Sequence, residues 1–403
     1  MFHAQENAMR WLVAVVGTLC AMSPLALGAD RAAQCDTLLR DYEAEATEFR
    51  KIPSTNESTA AEKIHRYEVW PGLRYIPLFI QLAAEKPDDE VAYRCCQWVI
   101  ARRSNEDRRI FAAEQKAWEI LGAFHTHRPD LPLICLEAVD RRGPAQERFL
   151  RGLLKRADLS RQQRGYATAA LAELLAQNYE WIELAQPYAT RDEFVLHLFR
   201  QRSPDWGKDL VPVNAPRFKA ESIRLFREVL GDYADIPVTA TADYFEGVAN
   251  LGEKAKKSLH AWEHLTIGAA APQLVGSDLG GNPFDLIQNR GRVVMVSFWF
   301  TGCPGCMHEI PCHQRLLEKY KGRPFAMVSV CTDESLEKAK KTAAIKGMNW
   351  PCLFDGENGP IAREWNVMTS PATYLLDERG VIVAKLLHEE RLEQRIGDLM
   401  RDR

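Results

Sequence analysis

The hydrophobic period of this chain changes once, near Leu265, and that change restricts the fold more than any other feature. Through residues 30–262 apolar side chains recur at three- and four-residue spacing, as in 91–100, 110–121, 167–176 and 223–230. That is the period of helices burying one face. Asp, Asn or Ser stands before several of these runs as a candidate N-cap. Short connections predict stacked helical hairpins, although no repeat of fixed period aligns. Residues 202–216, with Pro204, Pro212 and Pro216, break the pattern and read as an internal loop.

After Leu265 the signals become those of strands alternating with helices. Residues 266–272 are a small-residue stretch, and Asp278-Leu-Gly-Gly-Asn282 is a turn between two short runs, which predicts a hairpin. Residues 293–300 (VVMVSFWF) form a near-continuous apolar run, the kind buried on both faces of a parallel sheet. A helix is expected over 304–321, a strand over 325–331, a helix over 334–346 and a strand around 350–354. A helix from Pro360, strands at 372–376 and 381–386 and a terminal helix from His388 complete an α/β sheet. The chain therefore reads as multidomain, with an all-α helical-hairpin domain at 30–262, a linker at 263–272 and an α/β domain at 273–403.

The N-terminus has the layout of a secretory leader: Met9-Arg10, an apolar run over 11–22, Ser23-Pro24, and small residues ending at Ala29. Cleavage after Ala29 is expected, with an uncleaved anchor as the alternative. The apolar run is shorter than the ~20 residues of a spanning helix. Cys20 follows Leu19, which does not suit a lipoprotein site. With 52 Lys+Arg against 55 Asp+Glu the formal charge is −3, which argues against nucleic acid as a partner. Of the ten cysteines, the leader removes Cys20 and leaves an odd number. An oxidising compartment permits disulfides without showing which form.

Cys303-Pro304-Gly305-Cys306 lies where the buried strand turns into a helix. Two cysteines three apart, the first at the helix start, can close a disulfide across one turn. The free N–H groups and positive dipole end of the helix stabilise the thiolate of the first. Cys303 is thus the expected nucleophile and Cys306 the resolving thiol. Pro304 suits the first helical turn, where no N–H is needed.

Phe298-Trp299 before the cysteines, Glu309 and Pro311 after them, and Thr369-Ser370-Pro371-Ala372-Thr373 before a strand resemble the TlpA/ResA-like branch of the thioredoxin superfamily. The lead-in over 267–272 and the strand beginning Gly291-Arg292 are similar to that family as well. The resemblance covers roughly residues 266–387. It implies a thioredoxin-like fold and an exported thiol–disulfide oxidoreductase (redoxin) with a redox-active Cys303–Cys306 pair and no cofactor beyond it. It also implies that Pro371 is a cis-proline facing the cysteines, that Trp299, Ser370 and Pro371 bind substrate, and that Glu309 passes a proton to or from Cys306. Its partners would be protein disulfide or thiol substrates and an upstream redox donor or acceptor. Two positions depart from the pattern: Gly302 stands where a tryptophan commonly precedes the first cysteine, and Ser297 where thioredoxin keeps a buried aspartate.

Other readings compete. Cys303, Cys306, His308, Cys312 and His313 look like a metal cluster, and thiolates with imidazoles suit zinc or copper. At ~100° and ~1.5 Å per residue, however, Cys312 lies about 120° around the helix from Cys306 and His313 ~10 Å along it. Only Cys303, Cys306 and His308 could converge. A thiol peroxidase of the same fold, as that family's pattern implies, has Pro and Thr or Ser at seven and three residues before its cysteine, where this chain has Val296 and Phe300. An exported helical interaction scaffold, or a metallochaperone, with a vestigial redoxin domain is the remaining alternative. It conflicts with the joint presence of Cys303, Cys306, Glu309 and Pro371. Cys331 and Cys352 read as buried free thiols. Cys95 or Cys96 could pair with Cys35 or Cys135, without support from spacing. His125 and His127 read as surface or capping residues, and the helical domain as a surface for a protein partner.

Overall fold

The structure, a computed structural model, describes residues 30–52, 69–102, 108–141, 143–185, 212–239, 245, 247–357, 359–367, 370–387 and 389–401. The expected leader and most of the 202–216 loop lie outside them, as do Thr369 and His388. Contacts divide the described chain into two compact units, one ending at Leu159 and the other beginning at Ser160.

Among the described residues the first unit has helices only: α1 (Arg31–Arg50), α2 (Gly72–Glu85), α3 (Glu90–Ile100), α4 (Arg108–Phe124), α5 (Leu131–Arg141) and α6 (Pro144–Leu154). Polar residues start the helices as the sequence implies. Asp30 accepts from Ala32 N at 3.1 Å, and Asp89 from Ala92 N at 2.8 Å. Each satisfies an N–H that the helix leaves unpaired. Packing is pairwise between neighbours, α1 on α2 and α3, α2 and α3 on α4, and α6 on α4 and α5. Phe79 stacks on Trp98 with ring centroids 3.9 Å apart, and Tyr42 meets Trp98 edge-on at 4.7 Å. His125 corrects the surface reading. It is buried at 2 % exposure, and a ring nitrogen lies 2.8 Å from Pro87 O. A buried imidazole needs such a partner, so His125 ties α4 to the α2–α3 turn.

Among its described residues the second unit has helices α7 (Arg161–Ala185), α8 (Ala215–Asp232) and α9 (Leu251–His264), and then the α/β fold. The hairpin β1 (Val275–Ser277) and β2 (Pro283–Asp285) forms around the Asp278–Asn282 turn. Then come β3 (Val293–Trp299), α10 (Pro304–Lys319), β4 (Phe325–Cys331), α11 (Leu336–Ile345), β5 (Cys352–Phe354), α12 (Pro360–Glu364), β6 (Ala372–Leu376), β7 (Ile382–Lys385) and α13 (Glu389–Arg401). The main sheet has the order β5-β4-β3-β6-β7. β3 pairs parallel to β4 and antiparallel to β6, so it is central and every one of its residues is buried. One face carries Met295, Ile310, Leu316, Met327 and Leu392, and the other Val294, Phe298, Val330, Trp365 and Leu376. This is the thioredoxin-like α/β fold expected from the sequence, in a multidomain chain.

The contact boundary falls well before the change of hydrophobic period, because α7–α9 cluster with the sheet. Lys385 Nζ lies 3.0 Å from Glu180 Oε1, and His260 Nε2 2.9 Å from Glu364 O. The segment expected as a linker is docked on the sheet: Gly268 N donates to Ile382 O at 2.8 Å, and Ala271 N to Gly380 O at 2.9 Å. Among the described residues no helix is long and apolar enough to cross a membrane.

Candidate active site

The carboxyl ends of parallel β3 and β4 open toward the start of α10, and the cysteine pair lies there. Cys303 is the N-cap of α10 and Pro304 its first residue. Cys303 and Cys306 are joined by a disulfide, with S–S 2.06 Å and Cα–Cα 5.3 Å. Cys303 Sγ also accepts the Cys306 N–H at 3.0 Å, as an N-cap oxygen would in an ordinary helix. Both cysteines are 4 % exposed, so burial does not separate them. Position does: only Cys303 faces the unpaired N–H groups of the first turn, which favour negative charge.

The Ser370–Pro371 peptide bond is cis. Pro371 lies directly against the pair, since a Cβ added at Gly305 would come within 3.2 Å of Pro371 Cδ. Glycine at this position allows that approach. Behind Cys306 is a cavity of about 10 Å³ lined by Ser297, Cys306, Glu309, His313, Ser329 and Pro371 among others. Glu309 and His313 are each 5 % exposed. They sit one turn apart on α10, with Glu309 Oε2 3.7 Å from His313 Nε2. Ser297 Oγ lies 2.8 Å from Ser329 Oγ, which accepts from Trp350 Nε1 at 2.7 Å. Two hydroxyls and an indole therefore fill the place where the superfamily pattern has an aspartate.

Beneath the disulfide pack Trp299, Cys331 and Cys352. Trp299 is 4 % exposed and its indole donates to Cys352 Sγ at 3.2 Å, so it supports the pair from inside the fold. Burial pushes the Cys352 thiol up to about 12. Burial also raises the Cys331 thiol. The exposed aromatic next to the cysteine loop is Phe300. It borders a groove of about 530 Å³ that also touches Thr301, Gly302, Asp333, Lys338 and Ser370.

Sequence reasoning missed Asp333. Its carboxylate accepts from Thr301 N at 3.1 and 3.0 Å, from Thr301 Oγ1 at 2.8 Å and from Cys331 Sγ at 3.1 Å. It thereby holds the loop that delivers Cys303. The residues of the candidate metal cluster separate. His308 is exposed and faces Glu389 at 2.9 Å, and Cys312 is buried in the apolar core that holds Leu392 and Ile396. Among the described residues no group of three His, Cys, Asp or Glu side chains could hold a metal ion.

A thioredoxin-like sheet, with a cysteine pair capping the helix after its central strand and a cis-proline against it, defines a thiol–disulfide oxidoreductase. Comparison with known proteins places the chain further. Residues 266–398 match the Redoxin family model. Thiol-disulfide oxidoreductase ResA of Bacillus anthracis is 30% identical over 137 residues, 34% of this chain and 79% of that protein. Thioredoxin-like protein YneN of Bacillus subtilis is 32% identical over 118 residues, 28% of this chain and 68% of that one. Among solved structures, the thioredoxin domain of a thiol-disulfide oxidoreductase from Bacteroides vulgatus is 28% identical. The match covers 34% of this chain and 98% of that domain at a TM-score of 0.32. The chain belongs to the ResA/TlpA-like thiol–disulfide oxidoreductases through its C-terminal third.

Proposed function

We propose that this chain is an exported thiol–disulfide oxidoreductase that exchanges disulfides with protein substrates through Cys303 and Cys306. The observation carrying the reading is the Cys303–Cys306 disulfide at the N-cap of α10, with Cys303 Sγ on the Cys306 N–H and Pro371 alongside. From the reduced state, the Cys303 thiolate attacks one sulfur of a substrate disulfide. A mixed disulfide forms and the substrate's other sulfur leaves as a thiolate. Cys306 gives its proton to Glu309, attacks Cys303 Sγ, and releases the second substrate sulfur. The pair ends as the disulfide, and the substrate carries two thiols once the protons are returned. The same steps in reverse oxidise a substrate dithiol.

Ser370 and Pro371 seat the substrate backbone beside the pair. Trp299, enclosed with the cysteines, enters this reading as packing under the disulfide and not as a surface for substrate. The leader-like residues 1–29 support export, and the N-terminal helices supply the surface for a protein partner. An upstream redox donor or acceptor resets the pair.

The test follows dithiol-driven reduction of insulin by residues 30–403. Cys303→Ser is expected to abolish the activity. Cys306→Ser is expected to accumulate a mixed disulfide, visible as a mass adduct that dithiothreitol removes. Wild type no faster than Cys303→Ser overturns the reading. An adduct formed by Cys303→Ser, and not by Cys306→Ser, reverses the order of the two cysteines.

A further inference from the structure

The helical unit carries a second pair of cysteines, which the exchange described above does not use. Cys35 on α1 and Cys95 on α3 are 60 residues apart in sequence, yet their Sγ atoms are 3.8 Å apart. Both are enclosed, at 1 % and 0 % exposure. We propose that Cys35 and Cys95 form a second disulfide in the oxidised protein, fastening α1 to α3.

The geometry needs little change. Reaching the ~2.05 Å of a disulfide requires the sulfurs to approach by about 1.8 Å in total, within the range of side-chain rotation. Their surroundings also make the two thiols unequal. The Cys95 thiol donates to Cys35, and this bond lowers the Cys35 thiol below its ordinary range; Arg94 and Arg31 add to the effect, while burial and Asp36 oppose it. The same bond, with burial, raises Cys95. Arg94 is held by Asp36 at 2.7 Å, and Arg31 by Asp89 at 3.0 Å and Glu85 at 2.8 Å, so both cations are fixed near the pair.

The oxidant is a low-molecular-weight disulfide. The Cys35 thiolate attacks one of its sulfurs, and the other leaves and takes up a proton. Cys95 then attacks Cys35 Sγ and expels the second small thiol, which takes the proton Cys95 gives up. Two protein thiols are oxidised and one small disulfide is reduced to two thiols. Because both sulfurs are enclosed, exchange occurs while α1 is undocked, either during folding or in a local opening of the helical unit.

The proposal is tested by refolding the full chain from the reduced state in a buffer of oxidised and reduced glutathione. Free thiols are then blocked with iodoacetamide in denaturant, and the protein is digested with trypsin without reduction. The expected product is peptide 32–40 linked to peptide 95–102, lost in Cys95→Ala and kept in Cys96→Ala. The Cys303→Ser/Cys306→Ser double variant is expected to form the link equally, so a failure here leaves the exchange activity standing, and the converse holds. Complete iodoacetamide labelling of Cys35 in the oxidised wild type overturns the proposal, as does a link from Cys35 to any other cysteine.

Discussion

Asp333 shows how much a single carboxylate does at this site. It takes two N–H or O–H groups of Thr301 and the Cys331 thiol, and Thr301 stands two residues before Cys303. Removing a charged acceptor from such donors costs about 2 kcal/mol, and a loop displaced by less than about 1 Å slows an attack that depends on alignment. Asp333→Ala is therefore expected to lower the rate of insulin reduction on the order of tenfold. Asp333→Asn, which keeps one acceptor oxygen, should recover most of it. Equal rates for Asp333→Ala and wild type would remove Asp333 from the positioning of Cys303. Cys352 makes a prediction of opposite character. Its thiol is raised to about 12 by burial, against the Trp299 indole bond that lowers it. The folded state thus holds this proton longer than the unfolded state does. Its contribution to stability is complete below the unfolded thiol range and is lost as pH rises toward 12. At pH 10 the loss is on the order of 2 kcal/mol for this thiol. Urea midpoints at pH 8 and pH 10 should show the fall in wild type and a smaller one in Cys352→Ala.

Among the elements, β3 and α10 are the most legible in the sequence, because their signals agree. An uninterrupted apolar run specifies a strand buried on both faces. Cys303 and Pro304 then supply an N-cap and a first turn where no N–H is missed. The parts of the site that the sequence does not disclose depend on which elements become neighbours. Asp333 follows β4, and only the parallel pairing of β3 with β4 brings it to Thr301. His313, a metal-ligand candidate by residue type, instead faces Glu309 one turn back on α10. Cys35 and Cys95 meet only because α1 packs on α3. The same holds between α7 and α9, where Lys254 Nζ lies 2.7 Å from Glu173 Oε2 with both side chains about 10 % exposed. Breaking an enclosed pair strands a charge and costs about 3–5 kcal/mol, whereas replacing both partners with apolar residues does not. Lys254→Met should lower the urea midpoint strongly, and Lys254→Met with Glu173→Leu should restore most of it. A double variant as unstable as the single one would show that the loss does not come from a stranded charge.

At the scale of the molecule, hydrophobic period and contact give different boundaries, and the difference can be tested. The family match begins at residue 266, where the period changes, while the compact unit containing the sheet begins at Ser160. Three observations tie the intervening helices to the redox fold. Leu265, at the end of α9, is buried among Val294, Phe298 and Trp365. Lys385 on β7 reaches Glu180 on α7, and His260 on α9 reaches Glu364 on α12. A fragment starting at residue 273 loses all of these, together with the Gly268 and Ala271 bonds to the strand region around 380–382. Losing the burial of one leucine against this core costs about 2 kcal/mol, which in a domain of this size lowers the melting temperature by roughly 10 °C. Residues 160–403 are therefore expected to melt in one cooperative transition and to reduce insulin within about twofold of the rate of residues 30–403, since the apparatus around Cys303 is intact. Residues 273–403 should melt at least about 10 °C lower. If the shorter fragment is as stable as the longer one, α7–α9 contribute nothing to the redox fold, and the boundary belongs where the hydrophobic period changes.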